Sequence, residues 1–205
     1  MKKELLAPNG KPSNLTAEQY KLVRTPEFKK WFGDWENDPK NASKVVDENG
    51  EPLVVYHGTN LYFNSFNENY KAHYFSVDKK YADFVIDNYR GRNKFSKIID
   101  CFLNIRKLQN VKFPIEKSTI ATYLNDHKFL KQMDGGIYGF DDIDEKEINK
   151  IKGIDTRVYV VLNPNQIKLA DGTNTTFDSK SNDIRYNKGG ITESSTPDYL
   201  KFLIG

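Results

Sequence analysis

Leu53-Val54-Val55-Tyr56-His57-Gly58-Thr59, followed after a short polar loop by His73-Tyr74-Phe75-Ser76, is the stretch from which the fold can be read. Three consecutive β-formers run into Tyr-His-Gly-Thr, so a buried strand is expected to deliver an imidazole and a bare backbone to one place. A glycine directly after the histidine lets main-chain N–H and C=O groups come close to a flat polar ligand. Tyr74 in the second segment adds an aromatic face. That combination suits the gripping of a ligand.

Upstream, Val45-Val46 and residues 53–56 flank Asp47-Glu48-Asn49-Gly50-Glu51-Pro52, which predicts a hairpin feeding the His57 strand. Thr16 and Gln19 have capping-box spacing, so a helix is expected over 17–24. Thr25-Pro26 reads as the N-cap and first residue of a second helix that ends at Gly33, with Phe28, Trp31, Phe32 and nearby Trp35 as core or docking surface. Downstream, Asp78 is a plausible N-cap for a helix over 78–89, which carries Tyr81, Phe84, Val85 and Tyr89 at helical spacing directly behind Tyr74. Residues 97–104 read as a strand and 118–133 as a helix. The segment 139–155 lacks a sustained apolar period and reads as a loop or short helix, which argues against the regular alternation of a doubly wound parallel sheet.

The motifs His57-Gly58-Thr59 and Tyr74-Phe75-Ser76, the second leading into Tyr81-Ala82-Asp83-Phe84, resemble those of the ADP-ribosyltransferases in the poly(ADP-ribose) polymerase and diphtheria-toxin branch. A third motif of that branch opens a late strand with glutamate. Val158-Tyr159-Val160-Val161-Leu162-Asn163-Pro164-Asn165-Gln166-Ile167 is similar to it, with valine at the glutamate position, so the triad reads His57, Tyr74, Val158. A closer resemblance is to the ADP-ribosyltransferase-like domains of phage and mobile-element polyvalent proteins of bacteria. It is carried by Thr25-Pro26-Glu27-Phe28-Lys29-Lys30-Trp31-Phe32-Gly33-Asp34-Trp35, by Val45 to Pro52, by Phe102-Leu103-Asn104-Ile105, and by Asp134-Gly135-Gly136-Ile137-Tyr138 as a short strand before the last one.

The resemblance implies an α+β domain with a split, mainly antiparallel sheet and flanking helices, the His57 and Val158 strands lying side by side. It implies a flexible arm at 1–15, the catalytic domain at 16–187, and a linker and tail at 188–205. NAD is the implied co-substrate. His57 would bond its adenosine ribose, Gly58 main chain its carboxamide, and Tyr74 and Phe84 its nicotinamide ring, with Thr59, Ser76 and Tyr81 completing the pocket. A glutamate at the third position would bond the reacting ribose hydroxyl and steady the positive charge that develops on the sugar as the bond to nicotinamide breaks. Val158 does neither. The expectation is therefore transfer of a single ADP-ribose to a macromolecular acceptor, protein ahead of nucleic acid. The alternatives are a catalytically silent NAD or ADP-ribose reader and a basic nucleic-acid adaptor. Gln166 reads as a structural residue at its strand's end, with an acceptor-side role as the other option. His73 and His127 read as structural or surface residues.

Composition agrees with one soluble domain: 205 residues, 38% hydrophobic, with 13 Phe and 12 Tyr, supply one aromatic-rich core. No apolar run approaches a membrane span, and Met-Lys-Lys opens no signal peptide. A single cysteine, Cys101, excludes an internal disulfide and a cysteine-rich zinc site, and no metal-ligand cluster is legible. A cytoplasmic location, in a bacterial host, and a monomer or a domain of a larger polyprotein are expected. The net charge of +3 does not itself select nucleic acid. Locally, Arg90, Arg92, Lys94 and Lys97 gather around Phe95, either facing phosphates or forming a solvated loop.

Overall fold

The computed structural model describes residues 4–70, 72–110, 134–138, 152–172, 174 and 177–185. The helix expected at 118–133, His127, the segment 139–151 and the tail lie outside these residues. Among the described residues, no helix is long and apolar enough to cross a membrane.

Seven strands form one sheet: β1 (Val55–Thr59), β2 (His73–Ser76), β3 (Lys97–Leu103), β4 (Leu108–Asn110), β5 (Gly135–Tyr138), β6 (Val158–Val161) and β7 (Ile167–Leu169). Their order is β4-β5-β6-β2-β1-β3-β7, and every pair is antiparallel except β4 with β5. The expected α+β class and split sheet are what the chain forms. β2 and β6 pair over four positions and β1 and β3 over five, whereas β1 meets β2 only at Tyr56↔Ser76. The sheet is thus two halves joined along a thin seam.

One expectation is corrected here. The His57 and Val158 strands are not neighbours, because β2 lies between them. A strand has two edges, and those of β1 are taken by β2 and β3. The Val158 strand therefore joins the free edge of β2, in the register Ser76↔Val158.

Alternation of side chains gives the sheet two faces. Val55, Phe75, Ile99, Cys101, Leu103, Tyr159, Val161 and Ile167 pack on one, beneath Phe66 and Ile184 from the connections. Phe102 points the other way, into a cluster with helices α1 (Ala17–Leu22) and α2 (Pro26–Phe32). Phe28 anchors that cluster, stacked on Phe32 at 5.0 Å and edge-on to Phe102 at 5.1 Å. The capping box of Thr16 with Gln19 and the Thr25 cap before Pro26 form as read. Helix α1 stops at Leu22, short of the expected residue 24, because Thr25 precedes a proline and takes extended backbone to cap α2.

The turn before β1 closes with a Val46↔Pro52 bridge, and Gly50 occupies the left-handed region at φ 80°. The strand ladder itself begins at Val55, two residues later than the apolar run suggests. The N-terminal segment expected to be loose is packed over its described residues: Leu6 pairs with Pro12, Ala7 is buried, and the Tyr20 hydroxyl donates to the Leu6 carbonyl at 2.9 Å.

Arg24 ties these N-terminal parts together. Its guanidinium bonds the fully buried Glu51 at 2.8 Å and Glu36 at 3.1 Å, and lies 3.4 Å over the Tyr20 ring. Ser13 donates to the same Glu51 carboxylate. Removing the cation leaves a carboxylate buried with one hydroxyl partner, so Arg24→Ala is expected to cost about 3 kcal/mol, the low end for a broken buried pair. Urea denaturation should show that loss, and should show almost none for Arg92→Ala, whose partners Asp83 and Asp87 are exposed. Equal losses would remove the organising role given to Arg24.

Candidate active site

The seam between β1 and β2 brings most of the expected residues together, on two different faces. Tyr56↔Ser76 and Ser76↔Val158 are opposite pairs, so Tyr56, Gly58, Tyr74, Ser76, Val158 and Val160 share one face. His57 points to the other, where its ring packs edge-on to Phe66 at 4.9 Å and near Phe63 and Phe75. Two of the three triad residues therefore share a face. The third reaches the seam by a side-chain bond, from Nδ1 of His57 to the Tyr74 carbonyl at 2.8 Å.

A carbonyl only accepts, so this bond places the proton on Nδ1 and leaves Nε2 with its lone pair. Burial holds the imidazole pKa down at about 4, so the ring is neutral at physiological pH. His73, on the same face and 5.1 Å from Phe66, is also depressed to about 4 by burial, and its buried Nε2 has no hydrogen-bond partner among the described residues. Its buried position agrees with the structural role read for it.

Helix α3 (Lys79–Val85), capped by Asp78 through the Lys80 N–H, covers the Gly58 face. A Cβ added to Gly58 would collide with the Ala82 carbonyl oxygen and lie 2.9 Å from Cγ1 of Ile86. Glycine is required there for close approach of helix to strand, with no demand from φ. Tyr81 is buried and its ring stacks with Phe84 at 5.9 Å. Tyr74 and Ser76 emerge opposite, half-buried and buried, and burial raises the Tyr74 phenol so that it keeps its proton. Thr59 is buried and its hydroxyl accepts from the Leu61 N–H at 3.1 Å, turning the chain out of β1.

Gln166 is engaged at every polar atom of its amide. Nε2 donates to the Asn104 and Asp134 carbonyls at 2.9 and 2.8 Å, and Oε1 accepts from the Leu162 and Asn163 N–H groups. Both amide hydrogens are thus bonded to carbonyls of the protein. Cys101 is buried and its thiol is pushed well up by that burial, which removes it as a nucleophile. Among the described residues no group of three or more His, Cys, Asp or Glu side chains comes together.

A π-helical turn, Ile86–Arg90, extends α3 and ends at Gly91, φ 74°. Asn60, three residues after His57, donates to the Arg90 and Gly91 carbonyls at 2.6 and 3.2 Å. Arg90 therefore stands at the exit of β1, with no carboxylate partner among the described residues. The sequence shows the cationic run but not that the β1 exit loop binds it.

The two histidines set a pH dependence. Their unfolded pKa is near 6.5 and their folded pKa about 4, so between those values the unfolded chain binds more protons. Stability should be fully present above pH about 6.5 and fall as pH drops towards 4. His73→Phe should be more stable than the parent in the acid half of that window, the difference narrowing as pH rises. Parallel stability curves for the two would show that His73 does not fold as a neutral ring. Separately, Gly58→Ala should cost about 3 kcal/mol or more, the upper range for an overpacked core site. A thermally unchanged Gly58→Ala would contradict the helix-strand contact.

Comparison with curated proteins finds no match, and comparison with solved structures finds none. The model of one protein family, described as ADP-ribosyltransferase in polyvalent proteins, matches residues 47–177. That span is well over half of the chain and runs from the turn before β1 to Phe177, through the seam, α3 and β6. The chain belongs to the ADP-ribosyltransferase family of polyvalent proteins.

Proposed function

We propose that the protein takes NAD as co-substrate and transfers a single ADP-ribose to a macromolecular acceptor, with release of nicotinamide. The observation that carries this reading is the register Ser76↔Val158. It supports the reading by setting a buried valine on the face that Tyr74 and Gly58 share, and the reading takes residue 158 as the third of the triad. In this reading the groups that would hold a dinucleotide are kept, and position 158 offers no carboxylate for repeated addition.

The residues suit that substrate. With its proton fixed on Nδ1, His57 offers Nε2 as an acceptor for a ribose hydroxyl, and its low pKa keeps that lone pair free at neutral pH. Tyr74 gives a ring for the nicotinamide, and the reading assigns the carboxamide to the Gly58 main chain, on the strand edge beside the seam. Thr59, Ser76, Tyr81 and Phe84 surround them. In the transfer, the bond between ribose C1 and the nicotinamide nitrogen breaks with its electron pair leaving on nicotinamide. A lone pair of the acceptor forms the new bond to C1, and the acceptor's proton passes to solvent or to a base on the acceptor. Neutral His57 and aliphatic Val158 supply no negative charge to the developing cation, so the acceptor must itself assist.

The same valine favours a second reading, a silent module that binds NAD without turning it over. Incubation with labelled NAD separates the two: nicotinamide release and a labelled macromolecule support transfer, whereas binding without release supports the silent module. Loss of a buried hydrogen bond costs about 1–3 kcal/mol and loss of a ring stack about 0.5–1.5 kcal/mol. His57→Ala and Tyr74→Ala should therefore each weaken NAD binding several-fold or more by calorimetry. Folded variants that bind NAD like the parent would remove the pocket. Val158→Glu should raise NAD hydrolysis and lower the stability of the free protein, with partial recovery on adding NAD. A folded Val158→Glu that gains neither hydrolysis nor NAD-dependent stabilisation would show that residue 158 does not face the reacting ribose.

A further inference from the structure

We infer that the mouth of this site is a docking surface for single-stranded nucleic acid, and that the acceptor is such a strand; the second part rests on the transferase reading above. Lys97 is paired with Thr59 across β1 and β3, two residues from His57 and on the same face. Its ammonium lies 4.9 Å over the ring of Tyr62, which is 50% exposed. Asn93 donates to the Asn60 carbonyl at 3.1 Å, and Asn60 in turn holds the Arg90 and Gly91 carbonyls. The connection after β1 and the loop before β3 are thereby stitched into one surface at the end of the His57-Gly58-Thr59 strand.

That surface sets cations against rings, Lys97 over Tyr62 and Lys94 5.0 Å over Phe95. Arg92 is neutralised by Asp83 and Asp87, but Arg90, Lys94 and Lys97 pair with no carboxylate among the described residues. Of the five large hydrophobic residues exposed among the described residues, Leu61, Tyr62, Tyr70 and Tyr89 lie in the β1–β2 connection or the π-helical turn. Solvation alone accounts for lysines at a surface and gives no reason to expose tyrosines beside them. An acidic polypeptide would use the cations and leave the rings idle. A strand with unpaired bases uses both, its phosphates meeting Arg90, Lys94 and Lys97 and its bases stacking on the rings. A duplex keeps its bases stacked on each other and would engage the cations alone.

The test reads binding and transfer separately. Short fluorescent single-stranded oligonucleotides, DNA and RNA, should bind the protein without NAD, with a log–log salt slope near −2, from about 0.7 per phosphate at three cations. Matched duplexes should bind several-fold more weakly. Lys94→Glu/Lys97→Glu should lose at least tenfold in strand affinity and Tyr62→Ala about fivefold or more, while both keep parental NAD binding. With labelled NAD, the product should resist protease and be destroyed by nuclease. No strand binding, or a charge-reversed variant that binds strands like the parent, would overturn the surface. Label that is protease-sensitive, while nicotinamide is released, would overturn the nucleic-acid acceptor and leave the transferase standing. Strand binding with no nicotinamide release would keep the surface and remove the transferase reading.

Discussion

Backbone meets backbone where α3 crosses Gly58, and the placement of the site depends on that contact. The helix follows β2 after only Val77 and its cap Asp78, so its position is set from the β2 side. Its Ala82 carbonyl and Ile86 side chain then press on β1 at the one residue without a Cβ. Helix α3 thus carries across the seam the connection that the ladder supplies at one pair only. The imidazole of His57, bonded to the Tyr74 carbonyl, is a second tie across the same gap. A larger residue at 58 would lift the helix and with it the relation of Tyr74 to the β1 exit.

Charge is distributed according to the same division. Inside, Arg24 is matched with Glu51, while His57 and His73 are neutral, their depressed pKa values reflecting the cost of charging a desolvated ring. Lys168, fully buried, is brought down to about 8 by desolvation and donates to the Ser181 and Asp183 carbonyls, fastening the closing segment to β7. At the surface, Arg90, Lys94 and Lys97 cluster at the β1 exit and pair with no carboxylate among the described residues. Unmatched charge is affordable there because water screens it, and useful there because phosphates are attracted to it.

Much of this was legible in the chain. Local rules act within a few residues, and the Thr16–Gln19 box, the Thr25-Pro26 start, the Asp78 cap and the Asn49-Gly50 turn all appear where side-chain chemistry puts them. The order of motifs carried the split α+β fold. Strand neighbourhood was not legible, because the His57 and Val158 segments are a hundred residues apart in sequence and nothing local tells which edge β6 joins. The face on which each triad residue points was equally hidden, since parity depends on register and not on the motif. The convergence of the Asn104 and Asp134 carbonyls on Gln166 was likewise hidden, as were the partners Asn49, Glu51 and Tyr20 of the N-terminal segment.

A sheet in two halves has a mechanical weak line, and here it runs through the ligand residues. Between β1 and β2 the ladder offers one register pair, against four and five in the neighbouring ladders. Opening that line gives up on the order of 1 kcal/mol per backbone bond, whereas a similar displacement anywhere else in the sheet breaks several at once. The two halves can therefore tilt as stiff plates about α3 while each keeps its internal hydrogen bonding. What fixes the angle between the halves is then the α3 contact at Gly58 and the bond from His57 to the Tyr74 carbonyl, not the ladder.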